Sequence, residues 1–138
     1  MKQEDCIFCK IAGGEIPSAV IYEDEDFRVI LDVAPAAKGH ALILPKNHYK
    51  DLWELGEKES AAIMALAAKV TKAQKEALHC DGINVLQNNG TAAGQSVFHF
   101  HMHLIPRYEE DQVEIPWKTL SYEDGEMEKT ADAIRKAL

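Results

Sequence analysis

Apolar residues recur along this chain with two periods, and each period marks a kind of element. Between Glu57 and Leu78, residues Ile63, Leu66, Val70, Ala73 and Ala77 fall three and four positions apart, which lays them along one stripe of an α-helix. The alanine-rich composition raises helix propensity. Glu57 and Glu59 suit the positive end of the helix dipole, and Lys69, Lys72 and Lys75 lie in the later half. Shorter apolar runs at residues 19–23, 27–32, 41–45 and 82–87 read as strands, the first two joined as a hairpin across an acidic, solvated turn. A further strand is expected around residues 97–105. Its alternation puts Phe98, Phe100, Met102 and Leu104 on one face and Val97, His99, His101, His103 and Ile105 on the other. Beyond Tyr108 the chain turns acidic and irregular as far as Pro116-Trp117. Met127, Ala131, Ile134 and Leu138 then mark a last amphipathic helix, expected to cap the core. These elements predict an α+β fold, mainly an antiparallel sheet with one long helix and a C-terminal helix.

Composition narrows the picture. A chain of 138 residues, 46% of them hydrophobic, has room for one core and reads as a single domain, with no internal repeat. The net charge of −8, from 23 acidic against 15 basic residues, disfavours DNA or RNA as a partner while leaving a small nucleotide compatible. Without an 18-residue apolar run or a signal-peptide core, the expectation is a soluble, cytoplasmic protein with no membrane partner. Three cysteines point to thiols or metal ligation rather than a disulfide framework.

Candidate chemistry sits in three places. His99, His101 and His103 are half of the six histidines, and on one strand face neighbouring imidazoles stand roughly 6.8 Å apart. Each needs partners for two ring nitrogens and adds little apolar burial, so stability alone gives no reason to carry three. Cys6-Ile7-Phe8-Cys9 is a Cys-x2-Cys knuckle that offers half of a tetrahedral zinc site, the other ligands to come from histidines or Cys80. It does not follow a strand into a helix as redox-active pairs do. The loop from Asn88 to Gln95, rich in Asn, Gly and Ala, suits a phosphate: its glycines let backbone N–H groups approach, and Asn88, Gln95 and Ser96 add neutral donors beside His101. Asp32, at the end of an apolar strand, reads from its own context as a turn-starting residue.

His-x-His-x-His followed by two apolar residues, with Gly94-Gln95-Ser96 before it, resembles the signature of the histidine triad family. The similarity runs upstream through Asn88-Asn89-Gly90, Gly82-Ile83-Asn84, Lys46-Asn47-His48, Gly39-His40 and Asp32 to the cysteine knuckle, over roughly residues 5–108, leaving 109–138 as a tail. It is strongest to small bacterial members of the nucleoside phosphoramidase branch. The resemblance implies a two-fold homodimer and a structural zinc held by Cys6, Cys9, His48 and His99. It implies a ribose on Asp32, a supporting hydrogen-bonding role for His40, and a purine pocket from Ile7, Phe8, Ile11, Ile30 and Val33. It also brings the tail, with Trp117, near the active sites.

The reaction so implied is hydrolysis of a purine nucleoside 5′-phosphoramidate, or a related ester or anhydride, through a nucleotidyl group carried on His101. His103 would donate to a phosphate oxygen or the leaving group and Ser96 to the departing amine, with Asn88, Gly94 and Gln95 around the phosphate. The nucleotidyltransferase branch has glutamine where this chain has His103, which favours hydrolysis. Three alternatives remain at this level: a dinucleoside polyphosphate hydrolase, a metal-dependent hydrolase in which His99 and His101 chelate the ion, and a nucleotide-binding protein without catalysis.

Overall fold

The computed structural model describes residues 1–138. In chain order it comprises α1 (Ile7–Ala12), β1 (Val20–Glu23), β2 (Phe27–Leu31), β3 (Ala41–Pro45), α2 (Glu57–Leu78), β4 (Gly82–Leu86), β5 (Met102–Arg107) and α3 (Glu126–Ala137). The strands form one sheet in the order β1-β2-β3-β5-β4, with every neighbouring pair antiparallel. This is the α+β architecture expected from the apolar pattern.

Local chemistry explains the joints. Asp24 Oδ1 accepts the backbone N–H of Asp26 at 2.9 Å and of Phe27 at 2.7 Å, so the acidic tract closes the β1–β2 hairpin as an Asx turn. Pro106 lies in β5, which has neighbours on both sides, a place where a missing N–H usually breaks a ladder. Here the pairing of β3 with β5 ends at Leu104, so the N–H that proline lacks is not needed.

The sheet separates two apolar layers. Phe27, Val29, Ala41, Ile43, Phe100, Met102 and Leu104 face α2 and close on its Ile63, Leu66, Ala67 and Val70. On the opposite face Ile30, Leu42 and Leu44 pack with Ala12, Phe8 and Ile11 of α1, and this thinner layer is the one His101 and His103 share. Arg28 ties α1 to the sheet, donating from Nη1 to Ile11 O at 3.0 Å and from Nη2 to Glu23 at 2.8 Å.

Four expectations need correction. The histidine stretch is a strand only from Met102 onward; Val97 to His101 is irregular, and Phe98 lies 42% exposed rather than beside Phe100. The buried stripe of α2 turns away after Val70, so Ala73 and Ala77 are exposed while Gln74 is buried. Its amide donates to Gly39 O at 2.9 Å and Leu104 O at 3.2 Å, satisfying two carbonyls that an apolar side chain would orphan. Cys6 caps a helix, α1, that the sequence reading did not anticipate. Finally, α3 buries no residue and caps nothing.

Candidate active site and metal centre

Two clusters of side chains meet on the α1 side of the sheet, and the hydrogen bonds of each histidine fix which ring nitrogen carries the proton. A carbonyl can only accept, so a ring nitrogen within reach of one must be N–H, and in a neutral ring the other then holds a lone pair. His99 is fully buried and its Nε2 lies 2.9 Å from Pro45 O. Its Nδ1 lone pair therefore faces Cys6 Sγ at 3.5 Å and Cys9 Sγ at 3.4 Å. His101 is the reverse: Nδ1 donates to His99 O at 2.8 Å, which leaves the lone pair on Nε2.

His40 and His103 form a relay. The backbone N–H of Ala36 donates to His40 Nδ1 at 2.9 Å, which forces the proton of the neutral ring onto Nε2. That Nε2 lies 2.9 Å from His103 Nδ1 and donates to it, so His103 carries its own proton on Nε2. The relay thus makes His103 a donor, whereas His101 beside it, with ring centroids 5.0 Å apart, is an acceptor at Nε2. The spacing is closer than the ideal strand value because His101 precedes the regular part of β5.

Burial keeps these rings neutral. It lowers His101 and His40, in each case against the pull of Asp32, and brings His103 down to about 4, with His101 and His40 adding to the effect. Asp32 follows β2 directly. Its Oδ1 accepts from Ala34 N at 2.9 Å, and Oδ2 stands 3.7 Å from His40 Nε2 with no closer partner. Phe8, carried by α1, sets its ring edge-on to His101 at 4.9 Å and to His99 at 6.1 Å.

The other expected residues divide by position. Ile30 is buried as core beneath Phe8 and Ile11, Ile7 is half exposed, and Val33 is almost fully exposed. Gly94 has a φ of +93°, a conformation that favours glycine, and it passes close to the Asn88 amide. Ser96 is exposed. Gln95 is buried, its Nε2 donating to Lys50 O and Val97 O at 2.8 and 3.1 Å and its Oε1 accepting from Gly90 N at 2.8 Å. It braces the loop, and its amide protons are not available to a ligand, contrary to the expected phosphate contact. Trp117 is exposed.

The metal-type groups can be told apart by the same proton bookkeeping. Cys6, Cys9, His48 and His99 bring one ligand atom each within 4.8 Å of one another, and Cys9 Sγ to His48 Nδ1 is 3.4 Å. A tetrahedral zinc with ordinary Zn–S and Zn–N bonds requires S···N edges of roughly 3.5 Å, which these distances match. The His99 lone pair already faces inward, and its other nitrogen is held by a carbonyl as metal-ligating imidazoles usually are. Asp32, His40 and His103 also lie within 4.8 Å of one another. That set does not fit a cation, because His40 Nε2 and His103 Nε2 both carry protons and the ring lone pairs are turned to Ala36 and into the relay, which leaves Asp32 alone as a lone-pair donor.

A family model for the HIT domain matches residues 13–110. The chain belongs to the HIT domain family. Among curated relatives, Protein hit of Bacillus subtilis is 41% identical over 138 residues, spanning 98% of this chain and 95% of its own length. Adenosine 5′-monophosphoramidase hnt1 of Schizosaccharomyces pombe is 45% identical over 77% of each chain. Adenylylsulfatase HINT3 of Arabidopsis thaliana is 46% identical over 79% of this chain and 55% of its own. A crystal structure of a HIT family protein from Bacillus subtilis superposes with a TM-score of 0.92, 40% identity and 98% coverage of both chains. A zinc-bound histidine triad protein from Mycobacterium smegmatis reaches 0.76 at 36% identity, covering 97% of this chain and 98% of that one. As a HIT domain protein, this chain has relatives that are hydrolases, and no helix in it is long and apolar enough to cross a membrane.

The sequence had marked His99, His101 and His103 as a set. The resemblance had assigned His99 to the zinc ligands and the other two to the reaction; here His99 turns its lone pair to the cysteines while His103 pairs with His40 beside Asp32. The signal missed was the backbone: Ala36 N–H, Pro45 O and His99 O decide the tautomers and carry no side-chain signature.

Proposed function

We propose that this HIT domain protein hydrolyses purine nucleoside 5′-phosphoramidates, and related esters or anhydrides, through a nucleotidyl group carried transiently on His101. The observation that supports the reading most is the His101 Nδ1–H to His99 O hydrogen bond. It leaves Nε2 with a lone pair and stabilises the positive ring that forms when that nitrogen bonds to phosphorus.

In the first step His101 Nε2 attacks the phosphorus and the P–N bond breaks, its electron pair leaving with the amine. The amine takes a proton from solvent by way of the exposed Ser96 hydroxyl. In the second, water adds to phosphorus and the P–Nε2 bond breaks, the water's proton passing to solvent, which restores the lone pair and releases the nucleoside monophosphate. His103 donates Nε2–H to a phosphate oxygen; with its pKa brought down to about 4 it is neutral at pH 7, and a neutral imidazole is a hydrogen-bond donor rather than an acid. Asp32 Oδ2 accepts from the ribose, Phe8, Ile7, Ile11 and Val33 border the base over the Ile30 core, and Asn88 with the Gly94 turn faces the phosphate.

Cys6, Cys9, His48 and His99 would hold a structural zinc, which would supply a closed anchor between α1, the end of β3 and the approach to β5. The metal-dependent alternative is disfavoured because the His99 lone pair points to the cysteines, away from any ion that His101 Nε2 could share. The protein is proposed to act as a homodimer on a small nucleotide.

Acid quench of a reaction with labelled adenosine phosphoramidate should trap label on the wild-type protein. His101→Ala and His101→Asn should abolish turnover and trapping while at least one of them still binds AMP. Turnover unchanged in both would overturn the reading.

A further inference from the structure

The stretch from Gln87 to Gln95 joins β4 to the histidines without a strand ladder of its own. Between Gly90 and Gln95 its backbone–backbone bonds stay within the turn itself, so side chains tie it to the rest of the protein. Three amides do this, and their protons can be placed from the backbone outward. Gln95 Nε2 faces the carbonyls of Lys50 and Val97 while its Oε1 faces the N–H of Gly90, which admits one orientation only. Leu52 N–H donates to Asn89 Oδ1 at 2.7 Å, so the other atom of that amide is Nδ2. Asn89 Nδ2 then donates to Gln87 Oε1 at 2.7 Å, and Gln87 Nε2 reaches Asn89 Oδ1 at 2.8 Å and Asn88 O at 3.0 Å. In this belt every amide oxygen accepts and every amide nitrogen donates.

What the belt grips is itself held in place. Tyr49 O accepts from Phe100 N at 2.6 Å, and buried Asp51 caps the short turn Leu52–Glu54 by accepting from Trp53 N at 3.0 Å. Gln95 and Asn89 therefore fasten the loop to this strap at two points, Lys50 O and Leu52 N. Asn88 stands between Gln87 and Asn89 but is gripped by its carbonyl alone; its own amide lies against Gly94 and stays out of the belt. Ordering a loop on a ligand costs conformational entropy, and bonds already made in the free protein remove that cost.

We infer that Gln95 and Asn89 are positioning residues: by holding the loop on residues 50–52 they pre-set Asn88 and the Gly94 turn for a phosphate, so that a nucleotide binds better than its bare nucleoside. The inference rests on the phosphate role proposed above for Asn88 and the Gly94 turn, and adds to it two side chains whose hydrogen bonds are spent within the protein. In that reading the base and ribose meet Phe8 and Asp32, with which the belt shares no hydrogen bond. Loss of the belt therefore falls on the phosphate alone.

Calorimetric binding of AMP and of adenosine to the full-length protein tests this. Gln95→Met keeps the length of the side chain and removes its bonds, and Asn89→Ala removes the other tie. Each should weaken AMP binding on the order of tenfold while adenosine changes less than about twofold. Leu52→Pro breaks the Leu52–Asn89 bond from outside the loop, so it reads the belt even where a change within the loop disturbs folding. Leu52 is nearly half exposed and opens its turn, where proline is tolerated, and Asp51 before it is already extended, with φ −157° and ψ −173°. That variant should weaken AMP roughly threefold or more and leave adenosine unchanged. Equal loss of both ligands, or an unchanged preference for AMP, would overturn the inference, while label trapped on the wild-type protein by acid quench would leave the hydrolase reading standing. A wild-type protein that binds adenosine as tightly as AMP would remove the phosphate role of the loop and the inference with it.

Discussion

His40 Nε2 lies 2.9 Å from His103 Nδ1, and the direction of that bond is set by a backbone amide four residues before His40. Ala36 N–H occupies the only lone pair His40 would otherwise offer, so the pair has one arrangement of protons and His103 presents Nε2–H. His40 is therefore a positioning residue for a donor. His40→Ala should lower kcat by roughly 10- to 100-fold, about 1.4–2.7 kcal/mol of transition-state stabilisation, with KM changed little. Steady-state rates on adenosine phosphoramidate check this, and an unchanged kcat would show that His103 finds its tautomer unaided.

Acid stability follows from the same neutral rings. His103 titrates near 4, and burial lowers His40 and His101 as well, against an ordinary histidine value of about 6.5 in the unfolded chain. The unfolded state then binds more protons than the folded one between those values. Stability is flat above about pH 6.5 and falls as the pH descends toward 4. Urea midpoints measured on metal-replete protein across pH 4.5–8 should show that slope, and His103→Asn should make it shallower.

Gly39 is a point where backbone conformation and packing coincide. Its φ is +89°, and a Cβ there would fall 2.2 Å from Leu78 Cδ1. Leu78 ends α2, the helix that holds Gln74, and its side chain would have to swing aside to make room. Gly39→Ala should cost about 2 kcal/mol from the strained φ and the displaced leucine together. Thermal unfolding measures the loss. Because His40 adjoins, kcat should fall as well, whereas a surface change such as Lys58→Ala should alter neither.

The sequence made the helix from Glu57 to Leu78 legible to the residue, because a three-and-four spacing and a leucine-to-histidine boundary are local signals. It misjudged the far end of the buried stripe, where Gln74 rather than Ala73 turns inward, since only tertiary packing reveals two carbonyls in need of a donor. The triad was visible as a pattern, yet its strand begins only at Met102. His99 breaks the alternation in role by serving a site whose cysteines lie about ninety residues earlier. The C-terminal stripe was read correctly as amphipathic, but the expectation that it caps the core failed, because amphipathicity does not say what covers the apolar face.

Metal removal separates anchoring from chemistry. Cys6 and Cys9 bracket Phe8, so whatever the four ligands hold also fixes the ring that meets His101 edge-on. Without a cation, burial, with Cys6 alongside, holds Cys9 as a thiol of raised pKa, leaving only a weak S–H donor to the imidazole lone pairs. Dialysis against a strong chelator should release about one zinc per chain, lower the melting temperature, and raise KM more than it lowers kcat, because the His101 lone pair is set by His99 O rather than by the ion. Re-addition of zinc should restore KM. Cys9→Ala should reproduce the chelated state and abolish the response to zinc. If kcat instead vanished on chelation, with no labelled adduct on acid quench, the ion would have to be placed in the reaction itself, and the covalent route through His101 would fall.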